Sequence, residues 1–206
     1  MIRTEHKDGF IFPFVEYKPD GVKGKLPLII QLHGAGERGN GEDLSLMDEH
    51  GFSEMLKNGE YECLFIMPQC PQDSFWVARV ESIIKFIDEI KSNYNIDESR
   101  VYLTGLSMGG YGTWYTSMAR PDLFSAIAPV CGGGMAWNVE TLTMPIWVFH
   151  GEKDDVVSPF QSDEMVNALK EKGMNVRYTK VKDVGHNVWD YAYNKELYEW
   201  LLSNKK

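Results

Sequence analysis

Residues 101–110, Val-Tyr-Leu-Thr-Gly-Leu-Ser-Met-Gly-Gly, constrain this chain more than any other stretch. Four β-prone residues run into Gly105-Leu106-Ser107-Met108-Gly109, and residues 111–119 behind them can form a helix. A serine flanked two residues away by glycines, between a strand and a helix, fits a sharp turn that lifts a nucleophilic hydroxyl into an open cleft. Glycine at both flanks lets strand and helix approach without a Cβ between them. The helix start then presents free backbone N–H groups to developing negative charge.

The rest of the chain supplies more strand–helix units. Residues 10–17 are apolar and aromatic enough for one or two leading strands, with Pro13 marking an edge, and Lys18-Pro19-Asp20-Gly21 reads as a turn. Residues 26–32 read as a buried strand that empties into His33-Gly34-Ala35-Gly36-Glu37-Arg38-Gly39-Asn40-Gly41, too glycine-rich for regular structure. A short helix over 52–57 leads to a strand over 63–67, and Pro68-Gln69-Cys70-Pro71 then breaks the chain. A long helix follows over 76–94. Trp76, Val77, Val80, Ile83, Ile84, Ile87 and Ile90 keep helical spacing there, with Glu81, Lys85, Asp88 and Lys91 facing out.

Past the serine turn, residues 126–131 form a short strand before Gly132-Gly133-Gly134, and residues 145–149 another before His150-Gly151. Ser158-Pro159-Phe160-Gln161 carries an N-cap, a proline at the first helical position and a capping-box glutamine, for a helix that stops near Gly173. Residues 176–181 alternate as a strand, and residues 191–202 close the chain as a helix. Strands alternating with helices imply βαβ units and a mostly parallel sheet covered on both faces. Ligands bind such sheets at the carboxyl ends of the strands, where His33, Ser107, Gly132 and Asp154 all fall.

Size and charge narrow the function. The 206 residues show no repeat, low-complexity tract or linker, and 43% hydrophobic with 25% charged residues suits one soluble globular domain. A net charge of -9 with no basic run argues against nucleic acid and anionic membrane surfaces. No apolar run approaches the roughly 20 residues of a membrane span. The start, Met1-Ile2-Arg3-Thr4-Glu5-His6-Lys7, lacks an apolar signal-peptide core. Cys63, Cys70 and Cys131 cannot all pair and lie at no metal-ligand spacing, so they read as buried, reduced thiols of a cytoplasmic protein.

A serine hydroxyl needs a base to accept its proton, and the base needs a carboxylate to orient it. His186, in the loop between the last strand and the last helix, is the strongest candidate base. His33 and His150 each end a strand before a glycine and read as loop-shaping residues, while His6 and His50 read as surface residues. The carboxylate should follow the strand over 145–149, where Asp154 and Asp155 compete and periodicity does not separate them. No two histidines stand at ligand spacing on a helix or strand, so no metal set is expected.

The order Ser107, Asp154, His186, with Gly-Leu-Ser-Met-Gly, His-Gly-x-x-Asp-x-x-Val and Gly-His, resembles the α/β-hydrolase superfamily. Within it, Leu32-His33-Gly34-Ala35-Gly36-Glu37-Arg38-Gly39 and the Pro-Gln-Cys-Pro segment resemble small serine esterases and predicted peptidases. That neighbourhood includes carboxylesterases, feruloyl esterases and polyhydroxybutyrate-depolymerase-like enzymes. The resemblance covers roughly residue 26 to the end and, with a length that fits one domain, gives a single α/β-hydrolase catalytic domain over residues 1–206; it assigns the carboxylate to Asp154, with Asp155 standing where proline is common. It implies an oxyanion hole from the backbone N–H groups of Ala35 and Met108, each worth about 3 kcal/mol in the transition state.

The activity so implied is cofactor-free hydrolysis of a small-molecule carboxylic ester through an acyl-enzyme on Ser107, with peptidase and thioesterase as alternatives on the same residues. Two other classes compete. Gly34-x-Gly36-x-x-Gly39 after a strand is a formal dinucleotide fingerprint, but it should open a helix, and Asn40-Gly41-Glu42-Asp43 follows instead. A catalytically dead hydrolase fold is disfavoured because all three residue types stand in order. Only about a dozen residues separate the strand ending near Cys131 from the one beginning near Pro145, too few for a lid domain. Acyl groups should therefore be short or aromatic (feruloyl-type). Trp76 and Trp189 are expected to stack on them, while Trp137 reads as core or rim packing.

Overall fold

Apolar side chains alternate onto both faces of the central strands, so the sheet they form must be covered on both sides. The structure, a computed structural model describing residues 1–206, has eight strands. These are β1 (Ile2–His6), β2 (Phe14–Lys18), β3 (Leu26–Leu32), β4 (Leu64–Pro68), β5 (Ile96–Leu106), β6 (Ala126–Val130), β7 (Ile146–Gly151) and β8 (Val176–Val181). They lie in the order β1-β2-β4-β3-β5-β6-β7-β8. The pairs β1–β2 and β2–β4 are antiparallel, and every later pair is parallel.

Six helices cover the sheet: α1 (Ser53–Lys57), α2 (Val80–Asn93), α3 (Met108–Ala119), α4 (Phe160–Glu171), α5 (Trp189–Ala192) and α6 (Lys195–Ser203). Leu28, Ile30, Leu103, Ile127 and Val148 point into one core with Ile83, Phe86, Ile87 and Ile90 of α2 and Trp114 of α3. Their neighbours Ile29, Tyr102, Ala128 and Phe149 point into a second core with Leu56 of α1 and Leu197 and Leu201 of α6. The expected α/β architecture, mostly parallel with helices on both faces, is the one observed. No helix is long and apolar enough to cross a membrane.

Several local expectations need correction. Pro13 does not mark an edge: it precedes β2, which has β1 and β4 on its two sides, and its carbonyl accepts from Gln69 N at 2.8 Å. The long helix opens with a 3₁₀ turn (Trp76–Arg79), which turns Val77 out to solvent. Ahead of α4, Ser158 Oγ takes the Phe160 amide at 3.4 Å, but the Gln161 side chain accepts the Tyr111 hydroxyl at 3.5 Å and closes no capping box. The closing helix is two helices, because Asn194 leaves the helical conformation and caps α6 by accepting from Leu197 N at 3.0 Å. The stop at Gly173 is as expected, with φ +67° and Met174 N donating to Leu169 O at 3.0 Å. Residues between β6 and β7 hold only a 3₁₀ segment (Ala136–Thr141), with no inserted lid helix.

What positions the site is the crossing of α3 over the sheet. A Cβ on Gly109 would overlap the Leu32 carbonyl oxygen of β3, and one on Gly105 would overlap the Gly109 carbonyl. The backbones of β3, β5 and α3 touch with no side chain between them. Gly109→Ala should therefore lower stability by about 3 kcal/mol or more, the upper range of overpacking costs, whereas Gly24→Ala, with no atom within 4 Å of the new Cβ, should be neutral. Chemical denaturation of both variants checks this, and equal stabilities would contradict the crossing.

Candidate active site

The last residue before α3 is Ser107, held at φ 53° and ψ -115°, a conformation that non-glycine residues rarely adopt. Its amide donates to Val130 O of β6 at 2.9 Å, which pins the turn to the neighbouring strand. The hydroxyl is thereby lifted clear of the sheet, and its Oγ stands 2.9 Å from His186 Nε2. His186 comes from the loop after β8, and its Nδ1 lies 2.7 Å from Asp154 Oδ2. A carboxylate facing Nδ1 places the ring proton there and leaves the Nε2 lone pair for the serine proton.

Asp154 reaches this position from the turn after β7. Its other oxygen, Oδ1, accepts from the amides of Val156 and Val157 at 3.0 and 2.9 Å. Burial pushes its carboxyl pKa up, but the His186 hydrogen bond and the two amides more than offset that, so it titrates below the ordinary carboxylate range. Asp155 is exposed and faces none of these groups. Of the two aspartates left open by periodicity, Asp154 is the one that meets His186.

The glycine-rich loop after β3 opens no helix, which removes the dinucleotide reading. It is fastened instead by the end of β4. Cys70 N donates to His33 Nε2 at 2.8 Å, Gln69 Nε2 donates to Glu37 O at 3.0 Å, and Gly39 N donates to Cys70 O at 3.0 Å. Arg38 Nε donates to the Ala35 carbonyl at 2.9 Å. The Ala35 amide itself donates to no protein acceptor. The Met108 amide, as the first in α3, has no acceptor one turn back. Both are free to meet an anion.

His33 and His150 shape their loops, as expected. His150 is fully buried, with Nδ1 at 2.7 Å from Ser162 Oγ and Nε2 donating to Val157 O at 2.9 Å. Its Nε2 also lies 3.2 Å from Asp154 Oδ2, so two imidazoles face one carboxylate. The three cysteines are buried and unpaired.

The tryptophans need correction. Trp76 is fully buried, donates its indole N–H to His33 O at 3.0 Å and packs edge-on against Phe12, so it supports the loop from beneath and meets no substrate. Trp137 is not packing at all, being 81% exposed. Trp189 is half-buried, and its ring meets His186 edge-on at 5.2 Å between centroids. Apart from Ser107 and Met108, the surface beside the serine is built by residues given no site role from sequence. A cavity of about 340 Å³ is lined by Phe75, Val77, Ser107, Met108, Tyr111 and Tyr115. A larger cavity of about 700 Å³, bounded by Asp48, His50, Lys57 and Trp189, reaches neither Ser107 nor His186.

His150 makes a measurable signature. Burial holds its pKa below the ordinary value of 6.5, outweighing the opposing pull of Val157 O and Asp154. Below pH 6.5 the unfolded chain then binds a proton that the folded chain refuses, so stability is lost as pH falls from there toward the depressed folded pKa. The thermal midpoint should fall between pH 7 and pH 5, and His150→Gln should flatten that slope. An unchanged slope would assign the loss to other groups.

Comparison with known proteins identifies the family. The profile of the phospholipase/carboxylesterase family matches residues 61–197. A bifunctional acetylxylan esterase/xylanase of Neocallimastix patriciarum is 26% identical over 85% of this chain and 32% of its own length. Poly(3-hydroxyalkanoate) depolymerase C of Paucimonas lemoignei is 29% identical over 57% of this chain and 30% of its own length. The chain thus spans about a third of each of these relatives. Among solved structures, a thermostable esterase aligns with TM-score 0.83 at 35% identity, over 100% of this chain and 63% of that one. A feruloyl esterase module from Clostridium thermocellum complexed with sinapinate shares the fold, with TM-score 0.74 at 16% identity over 96% of this chain and 86% of that one. The chain therefore belongs to the phospholipase/carboxylesterase family of α/β hydrolases.

Proposed function

We propose that Ser107, His186 and Asp154 act as a catalytic triad and that the protein hydrolyses carboxylic esters through an acyl-enzyme. The observation that carries this reading is the unbroken chain from Ser107 Oγ to His186 Nε2 at 2.9 Å and from His186 Nδ1 to Asp154 Oδ2 at 2.7 Å. In this mechanism Ser107 Oγ attacks the ester carbonyl carbon while its proton passes to His186 Nε2. The carbonyl oxygen becomes an oxyanion that accepts from the Ala35 and Met108 amides. Collapse expels the alcohol, which takes the proton from His186. Water, deprotonated by the same nitrogen, attacks the acyl carbon and releases the acid and the free serine. Asp154 stays ionised throughout, holding the Nδ1–H tautomer.

The substrate follows from what surrounds the serine. Every side chain around the 340 Å³ cavity except Ser107 is apolar or aromatic, which suits an acyl group without charge. Phe75 and Val77 remain 51% and 41% exposed, so the cavity is an open shelf that covers one ring and little of a long alkyl chain. Short acyl and hydroxycinnamoyl-type esters fit best. The shelf is formed by Phe75, Tyr111 and Tyr115, and it takes over the stacking role expected of Trp76.

Two experiments test this reading. A phosphonate or sulfonyl fluoride should label Ser107 alone; Asp154→Asn should lower kcat by about 10⁴, and Asp155→Asn should leave it near wild type. Adduct on another residue would refute the mechanism. Against substrate panels, Phe75→Ala should cost the hydroxycinnamoyl ester about 1 kcal/mol, roughly fivefold in kcat/KM, and leave the acetyl ester unchanged. A preference for acyl chains of about ten carbons or more, which an open shelf buries poorly, would overturn the substrate assignment.

A further inference from the structure

Behind the oxyanion loop lies a carboxylate that the mechanism does not use. Glu37 is only 6% exposed, and its Oε2 has no hydrogen-bond partner. The two groups that face it stand off: His33 Nδ1 is 3.6 Å from Oε2, and His50 Nε2 is 3.6 Å from Oε1. His33 has no proton to spare. Its Nε2 accepts from Cys70 N, so its one proton sits on Nδ1, which lies 2.5 Å from Gly34 O. A buried carboxylate with one oxygen lacking any partner is under-compensated, and native structures satisfy such groups with a proton donor or a cation.

The cation has a place to sit. Glu37, Glu49 and His50 each offer a ligand atom, and the three atoms lie within 4.8 Å of one another. Two ligands on one tetrahedral zinc stand about 3.3 Å apart, given metal–ligand bonds near 2.0–2.2 Å. The 3.6 Å gap between Glu37 Oε1 and His50 Nε2 is too long for a good hydrogen bond but close to that separation. Glu49 and His50 also line the 700 Å³ cavity, which gives an ion a path from solvent. Two carboxylates and a neutral imidazole balance a divalent charge, and the nitrogen favours zinc-like ions over calcium or magnesium.

We infer that Glu37, Glu49 and His50 form a binding site for a zinc-like divalent cation, which ties the oxyanion loop to the segment ahead of α1. The ion meets Glu37 on the Oε1 side that faces His50, two residues past Ala35, and leaves its remaining coordination positions to water. The site carries no step of ester hydrolysis, so it stands or falls separately from the triad. Sequence reading passed over it because the ligands come from two irregular segments, 37 and 49–50, that share no helical or strand spacing.

The test uses the full chain, tag-free and stripped with a chelator, titrated with Zn²⁺ by calorimetry and followed by thermal melting. The titration is repeated in His186→Ala, which removes the imidazole from the other donor set, Cys131, Asp154 and His186. One ion per chain should bind in both proteins with Kd below about 10 μM, and saturating Zn²⁺ should raise the melting midpoint where Mg²⁺ does not. Glu49→Gln and His50→Gln, at exposed and half-exposed positions that tolerate change, should each weaken binding at least about tenfold and remove the thermal shift. No saturable binding in that range, binding lost with His186→Ala, or binding retained in the Glu49→Gln/His50→Gln double variant would each overturn the site.

Discussion

The backbone contact between the first turn of α3 and the carboxyl ends of β3 and β6 is the constraint on which the rest depends. Gly109 against Leu32 O, Gly110 against Val130 O and Gly132 against Gly110 are all approaches that exclude a Cβ. Glycine costs conformational entropy in a helix, roughly 1 kcal/mol relative to alanine, yet α3 carries three glycines in its first half. That cost is offset by what the close crossing achieves. It forces the chain to reverse within one residue, which puts the strained φ on Ser107, and it brings the loop after β3 alongside the α3 N-terminus. The candidate nucleophile and both candidate oxyanion donors are thereby set by backbone packing alone.

The side chains proposed to carry the proton are fixed differently, by hydrogen bonds around one buried carboxylate. Asp154 receives two amides on Oδ1 and His186 on Oδ2, with His150 at 3.2 Å as a further neighbour. Because His150 is kept neutral by burial, it adds a dipole near Asp154 rather than a competing full charge. The imidazole of His186 remains the partner through which Asp154 can influence the serine. A protonated His150 would pull charge density from the carboxylate and weaken its hold on Nδ1–H, so the depressed pKa of His150 bears on the proposed triad as well as on stability.

Much of this was legible in the sequence because it is written in local patterns. The strand–Ser–helix turn, the strands read over 26–32, 126–131 (one residue longer than β6) and 176–181, and the meeting of Ser107, Asp154 and His186 all appear in the structure. What was not legible depends on through-space packing. Trp76 has the composition of a substrate platform, but the 3₁₀ turn at its position rotates it under the His33 loop and turns Phe75 and Val77 out in its place. Strand β1 was missed because four of its five residues, Arg3 to His6, are polar, so no apolar alternation marks it, and it is set by its pairing with β2. The capping-box reading of Gln161 failed for a similar reason: Tyr111, distant in sequence, claims its side chain.

The apolar cavity beside Ser107 and the glycine-rich loop after β3 meet at Arg38. Its Nε donates to Ala35 O, and its guanidinium also lies over the Phe75 ring at 4.8 Å, with a longer hydrogen bond to Ser74 O at 3.3 Å. One cation therefore orients the peptide next to a proposed oxyanion donor and braces the wall of the acyl cavity. An acyl group that displaces Phe75 would disturb the guanidinium and, through it, the loop that must receive the oxyanion. A group that seats flat against Phe75 leaves the loop in place. Discrimination between acyl groups should on this account fall on kcat as well as KM, since uniform binding alone changes only KM, and the shared contact at Arg38 links fit in the cavity to stabilisation of the transition state.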